Sequence, residues 1–268
     1  MADVILIQPK VEENPQFYKN PIKKIKYSFY STSNFIPLGL LHLSRYLVHR
    51  YKVKIIDQRI DKDWKKHLLK ELNQNPICVA ISFMTGPPIK YSLEISKFIR
   101  ENSNVPIVWG GRHPSLLPKQ TLENPNVDII VKGEGEITFY ELVKALEKNK
   151  TLKGIKGVWF KNKGIINSNE DREFLDMNNL PEIPYDLIDI KRYLSRFDKF
   201  ISIETTRGCT LKCQFCIYTT TEEPYRSLEA KKIVEQIKYL NEKFKIKYFN
   251  FTDDNFFLNH RRSTNLWN

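Results

Sequence analysis

No run of 18 or more apolar residues occurs in this chain of 268 residues, so a single-helix membrane span is not expected. The N-terminus, Met1-Ala2-Asp3 ahead of the apolar Val4 to Ile7, lacks the basic start and small-residue cleavage site of a secretory signal. A cytoplasmic protein is the expectation. Cysteine is scarce: there are four, too few and too unevenly spread for a disulfide framework. No repeat of solenoid type is visible. Lys and Arg outnumber Asp and Glu by 43 to 31, for a formal net charge of +12, yet no Arg-rich face with interleaved aromatics accompanies it. Lys, Asn, Ile and Tyr recur throughout, as in Lys161-Asn162-Lys163 and Lys243 to Lys247. The charge therefore reads as compositional bias, and nucleic acid is not an expected partner.

What is present is a regular alternation. Short apolar runs at Val4–Ile7, Val53–Ile56, Cys78–Phe83, Ile107–Trp109 and Val127–Val131 suit buried parallel strands. Between and after them lie helical patterns at Leu40–Arg50, Trp64–Leu72, Ile89–Glu101, around Leu116–Glu123, and at Thr138–Lys148. Five strands alternating with helices predict an α/β fold with a doubly wound parallel sheet, whose ligands bind at strand C-termini. A polar and aromatic segment from Lys10 to about Asn34 is a long loop, expected to be functional. Val158–Phe160 and Ile165-Ile166 read as a β-hairpin turning through Lys161 to Gly164. A linker with one short helix near Asp189 to Phe197 follows. A second alternating unit begins with the strand Phe200–Ile203. It continues through a helix Leu228–Lys243, N-capped by Ser227 with Ile233, Ile237 and Leu240 inward, to the strand Tyr248–Phe251.

Three cysteines, Cys209, Cys213 and Cys216, fall in Arg-Gly-Cys-Thr-Leu-Lys-Cys-Gln-Phe-Cys, residues 207–216, just after the strand Phe200–Ile203. Three thiolates on one loop can converge on one inorganic centre and leave a position open. Zinc is the plainer occupant, but structural zinc sites take four ligands in paired Cys-x2-Cys knuckles, and no second knuckle exists. Cys78 stands alone in an apolar run and reads as a core thiol.

The cysteine loop resembles the cluster loop of the radical S-adenosylmethionine (SAM) superfamily. Glu204 to Gly208 resembles the lead-in of members that carry an N-terminal cobalamin-binding domain. Pro37-Leu38-Gly39-Leu40, Gly110-Gly111-x-His113-Pro114-Ser115 and Gly133-Glu134-Gly135-Glu136-x-Thr138-Phe139 are similar to that domain, and Thr252 to Phe256 to the second barrel strand. The resemblance implies a flavodoxin-like cobalamin-binding domain over residues 1–150, a hairpin and linker over 151–199, and over 200–268 the start of a TIM-like (β/α) radical SAM barrel. It implies that Cys209, Cys213 and Cys216 hold a 4Fe-4S cluster whose fourth iron chelates SAM, and that Phe215 packs near the SAM adenine. Cobalamin contacts are expected from Ser82, Met84, Thr85, Gly86, Gly110, Gly111, His113, Gly133, Glu134 and Gly135. The commonest activity that the resemblance implies is methylcobalamin-linked methyl transfer to an unactivated carbon of a small-molecule substrate, with rearrangement or cyclisation in some members and flavodoxin or ferredoxin as electron donor.

Two features depart from that pattern. No Asp-x-His-x-x-Gly signature supplies an axial histidine to cobalt. About two βα units follow Phe200 where the resemblance implies a radical SAM barrel of about six, so the barrel is expected to be incomplete, with a second chain completing it or the chain serving as a cofactor-binding module. A tRNA methylthiotransferase would need a further three cysteines upstream, where only Cys78 occurs. Plainer readings stand beside the sharp ones. His113 either contacts a cofactor or bonds the backbone. Glu134 and Glu136 cap the helix they open or take part in catalysis. Met84-Thr85-Gly86 lines a corrin pocket or is a simple turn. Asp253 and Asp254 orient substrate or are strand-end turn residues.

Overall fold

A computed structural model describes residues 2–11, 35–194 and 200–266. The expected loop over Lys10 to Asn34 therefore lies almost wholly outside the described residues. The chain divides into two compact units, Met1–Arg172 with Glu182–Ile188, and Glu173–Pro181 with Asp189–Asn268.

The first unit is built on β1 (Val4–Gln8), β2 (Val53–Asp57), β3 (Cys78–Ser82), β4 (Ile107–Gly110) and β5 (Ile129–Val131), all parallel in the order β2-β1-β3-β4-β5. This is the flavodoxin-like order, with its switch point between β1 and β3. Period-two alternation splits each strand between two cores. Ile5, Ile7, Val79, Ile81, Ile107 and Trp109 face one side, while Val4, Leu6, Cys78, Ala80 and Val108 face the other. The helices are α1 (Leu38–Ser44), α2 (Trp64–Leu72), α3 (Pro88–Asn102), α4 (Arg112–Leu116), α5 (Pro118–Glu123) and α6 (Gly135–Glu147). Leu68, Leu72, Ile95 and Ile99 of α2 and α3 cover the first face; Leu40 of α1 and Phe139, Leu142 and Val143 of α6 cover the second.

Some elements differ from expectation. The helix expected over Leu40–Arg50 ends at Ser44, whose hydroxyl donates back to Leu40 O (2.8 Å), and a tight turn follows in which Arg45 N–H donates to His42 O (3.2 Å). Leu47 still reaches the core from a separate turn of 3-10 helix, Leu47–His49. The helix expected around Leu116–Glu123 is two, because Leu117, preceding Pro118, leaves the helical region (φ −128°). The hairpin β6 (Val158–Asn162) and β7 (Ile165–Ser168) extends the sheet, β6 running antiparallel to β5. Its turn is only Lys163-Gly164, with φ of +50° and +80°, the mirror-image turn that matches strand twist.

In the second unit β8 (Phe200–Ile203) and β11 (Tyr248–Phe251) pair in parallel, Phe200 opposite Tyr248 and Ile203 opposite Phe251. Between them come β9 (Thr206–Arg207), α7 (Tyr218–Thr221), β10 (Arg226–Ser227), which pairs antiparallel with β9 as a two-residue ribbon, and α8 (Ala230–Phe244), with α9 (His260–Asn265) following β11. Ile233 and Leu240, two turns apart, are fully buried on α8, and Ile237 is half-buried between them. Ser227 is not the N-cap of α8: it is paired in β10, and Asn178 Oδ1 accepts the N–H of Glu229 (2.9 Å) at that helix start. The short helix expected near Asp189 to Phe197 is a turn of 3-10 helix at Ile190–Tyr193; residues 195–199 lie outside the described residues.

Candidate functional site

In the first unit, the residues singled out in the sequence gather at the C-terminal ends of β3, β4 and β5. Ser82 ends β3 and Gly110 ends β4. Gly111 follows with φ +93°, and a Cβ there would stand 2.5 Å from Phe83 O and 2.8 Å from Phe83 N. Only glycine fits, and what fills the space is the backbone of the neighbouring strand end. Gly135 is likewise packed, against the Leu43 side chain (2.7 Å), and Gly110 makes ordinary contacts with Val131. Gly133 differs: it has φ +77°, and a Cβ there would meet nothing within 4 Å, so its backbone faces open space. Gly86 (φ +121°), Met84 and Thr85 are exposed on the loop after β3.

His113 stacks on Phe83 (centroids 5.8 Å apart, 28° between planes), and its Nδ1 shares a hydrogen bond with Thr85 Oγ1 (3.2 Å). It thus bonds a hydroxyl of the neighbouring loop rather than the backbone carbonyl that was its plainer reading. Partial burial lowers its pKa below the usual imidazole value, which favours the neutral ring at pH 7. Ser115 joins the next two loops: its hydroxyl donates to Gly111 O (2.8 Å) and accepts from Gly133 N–H (2.9 Å). Glu134 is extended just before α6. Glu136 is buried in the first turn of that helix, where its carboxylate complements the helix dipole, 3.9 Å from His42 Nδ1.

In the second unit the cysteine loop starts from β8 and is bounded by Gly208, which has φ +73°. Cys209, Cys213 and Cys216 are free thiols, each half-buried. Cys216 N–H donates to Cys213 O (2.9 Å), and Thr219 Oγ1 donates to the same carbonyl (2.7 Å). The thiols are not drawn onto a common point: among the described residues no three His, Cys, Asp or Glu side chains stand as a metal-holding group. The donor chemistry nonetheless fits an iron–sulfur cluster. Three soft sulfurs share one loop, none engaged in a disulfide. Phe215 is 93% exposed beside them.

Asp253 and Asp254 sit at the end of β11, as turn residues do, and both accept hydrogen bonds from the cysteine segment. Asp253 accepts from the N–H groups of Thr205 (2.6 Å) and Thr206 (2.8 Å) and from the Thr205 hydroxyl. Asp254 accepts from the Tyr218 hydroxyl. Buried Arg262 donates to Thr205 O (3.2 Å) and Oγ1 (2.8 Å). The bridging role of Ser115 and the roles of Thr205, Tyr218 and Arg262 were not seen in the sequence, where no spacing rule links residues 57 positions apart. A serine, threonine or tyrosine flanking a recognised loop is the one signal that would have raised Ser115, Thr205 and Tyr218; nothing in the sequence points to Arg262.

Comparison with known proteins places both halves. Residues 30–143 match the B12 binding domain family, and residues 203–264 match the radical SAM superfamily. A methyltransferase of Pyrococcus horikoshii, described as uncharacterized, is 32% identical over 237 residues, which is 86% of this chain and 51% of that protein. The anaerobic magnesium-protoporphyrin IX monomethyl ester cyclase of Synechocystis is 29% identical over 60% of this chain and 33% of its own length. The chain thus spans about half or less of these relatives. A solved structure of the radical SAM methyltransferase TsrM from Kitasatospora setae, with cobalamin and a 4Fe-4S cluster bound, covers 99% of this chain and 50% of that one, with TM-score 0.72 and 20% identity. That likeness carries the fold. One chain thus joins a flavodoxin-like sheet that matches the B12 binding domain to a segment that matches the radical SAM superfamily and carries a three-cysteine loop after a parallel strand.

Proposed function

We propose that this chain carries the cofactor-binding parts of a cobalamin-dependent radical SAM enzyme that transfers a methyl group to an unactivated carbon of a small molecule. The observation that carries the reading is the joint presence of the B12 binding domain match and, within the radical SAM match, the three free half-buried thiols. When bound, the cluster supplies an electron to SAM and the corrin supplies a transferable methyl group. The chain's own residues then have separable tasks. Cys209, Cys213 and Cys216 would hold three irons and leave the fourth open to SAM. Phe215, exposed beside them, offers a ring face for the adenine.

In the first unit the loops after β3, β4 and β5 would seat the corrin. The open backbone at Gly133 and the exposed Met84-Thr85-Gly86 segment offer the approach, and Ser115 and the Thr85–His113 pair hold the loops in register. Gly111 and Gly135 would serve by letting those loops pack closely, rather than by touching the ligand. A low-potential carrier such as flavodoxin or ferredoxin would donate electrons. No described helix is long and apolar enough to cross a membrane, and a reducing cytoplasm would suit the cluster.

Among the described residues β8 and β11 pair only with each other. Further strands, from a longer protein or from a separate chain, would complete a barrel around them. The reading is tested by reconstituting the chain anaerobically with iron, sulfide and cobalamin, then supplying SAM labelled in its methyl group and a low-potential reductant. Label passing from SAM to the corrin is the expected result. A chain that retains neither cluster nor corrin after gel filtration overturns it. Retention of both without SAM turnover, restored by a second polypeptide, assigns the chain the part of a cofactor-binding module. Ring closure without methyl transfer would align it with the cyclase relative instead.

A further inference from the structure

The two neighbouring aspartates at the end of β11 reach opposite feet of the cysteine loop. Asp253 takes the lead-in foot: its Oδ1 accepts the N–H groups of Thr205 and Thr206, and its Oδ2 accepts the Thr205 hydroxyl. Asp254 takes the exit foot, through the hydroxyl of Tyr218, two residues past Cys216. The lead-in foot is fixed from further sides. Arg262 donates to Thr205 O and Oγ1, so the Thr205 hydroxyl relays between a carboxylate and a guanidinium, and Leu228 N–H donates to Thr205 O (2.9 Å). Arg262 itself is held by Phe256 O (2.7 Å) and lies over the Phe256 ring, 4.8 Å from its centroid. Both feet of the loop are tied to the end of one strand, whereas the cysteine-bearing stretch between them is half-exposed.

We propose that Asp253 and Asp254 form a clip that closes the cluster loop at its base, and that they are positioning residues rather than ligands to metal, SAM or substrate. Both Asp253 oxygens and Asp254 Oδ2 already accept from the loop's own donors, which leaves those three oxygens poorly placed to coordinate anything else. A loop whose ends are fixed loses less freedom when its three thiols close on a cluster, so the clip raises retention of the cluster without touching it. The inference rests on the functional reading above for the identity of the cluster, but the clip itself exists without it.

The test uses the full chain in two states. In the iron-free chain, hydrogen exchange at the Thr205 and Thr206 amides of the lead-in foot, and at the Thr219 and Glu222 amides of the exit foot, is measured for Asp253→Ala, Asp253→Asn and Tyr218→Phe. Loss of one such hydrogen bond is expected to speed exchange by about tenfold. Asp253→Ala should show this at the lead-in foot. Asp253→Asn, which keeps an oxygen for the two N–H groups, should remain near wild type there. Tyr218→Phe should loosen the exit foot alone. In the reconstituted chain, iron release to a ferrous chelator should be severalfold faster in Asp253→Ala and Tyr218→Phe, with corrin binding unchanged. Wild-type exchange at both feet in these variants, or loosened feet with wild-type iron release, overturns the proposal. A wild-type chain that takes up no iron refutes the functional reading instead, and the exchange data then decide the clip alone. Tyr218→Phe removes one oxygen, so it keeps the test decisive if Asp253→Ala fails to fold.

Discussion

Gly208→Ala adds one carbon beside Cys209, the first cysteine of the loop, and its cost can be worked from the structure. Gly208 has φ +73°, and an added Cβ would lie 2.1 Å from Pro224 O, 2.7 Å from Glu223 O and 2.7 Å from Pro224 C. The left-handed backbone alone costs alanine about 1–2 kcal/mol. The three crowding atoms are all backbone, so no side chain can turn aside. Reaching an ordinary carbon–oxygen separation of about 3.3 Å requires the two segments to part by about 1 Å. That movement strains the pairing of Thr206 with Ser227 and of Arg207 with Arg226, adding about 1–3 kcal/mol. The total is about 3 kcal/mol, or about a hundredfold in the opening equilibrium of the second unit. Hydrogen exchange of amides in β8, β11 and α8 reads that change. Gly164→Ala is the internal comparison: it has φ +80° but nothing within 4 Å, so only the backbone cost applies. If Gly208→Ala costs no more in its unit than Gly164→Ala does in the first, the steric reasoning about the loop's lead-in is wrong.

Cys78 is fully buried and desolvation pushes its thiol pKa up to about 12, so in the native iron-free chain a thiol reagent should modify Cys209, Cys213 and Cys216 and spare Cys78 until denaturant is added; rapid native reaction of all four would refute the burial. Ser96→Ala removes the partner of the buried Trp109 indole N–H (2.8 Å) and should cost about 1–3 kcal/mol in urea unfolding followed by tryptophan fluorescence, against which a loss below about 0.5 kcal/mol counts. Burial first, and then the hydrogen bond to Glu147, raise the Tyr51 phenol pKa from 10.0 to about 12. The folded state therefore holds that proton where the unfolded chain releases it, and stability falls as pH rises from about 10 to about 12. Tyr51→Phe should flatten that part of the pH–stability curve, and an unchanged slope would show that Tyr51 is not its source.

The sequence-level reading succeeded where one physical signal dominates. The strands Phe200–Ile203 and Tyr248–Phe251 and the helix Trp64–Leu72 were bounded by abrupt changes from apolar to polar residues and stand unchanged in the fold. It failed where a local hydrogen bond competes with the pattern. Leucine periodicity runs on through Leu47, but the Ser44 hydroxyl and the turn at Arg45 end the helix first. Ser227 has good N-cap chemistry, yet strand pairing with Thr206 claims it. The glycines were legible as special positions but not by cause, because Gly111 answers to the backbone of Phe83, a neighbour in space that no spacing reveals. The cysteine loop was legible through its spacing. The aspartates that tie its feet were visible only as turn residues, since their partners lie 36 to 48 positions away.

The most direct test of the whole account is the iron content and low-temperature electron paramagnetic resonance of the anaerobically reconstituted chain, reduced, with and without SAM. The account expects roughly four irons per chain and a cluster signal that changes when SAM occupies the open iron. It expects both to be lost in a Cys209→Ala, Cys213→Ala, Cys216→Ala triple variant that still binds cobalamin through its first unit. Iron retained by the triple variant, or a wild-type signal indifferent to SAM, would contradict the assignment of Cys209, Cys213 and Cys216 as the chemical centre of this protein.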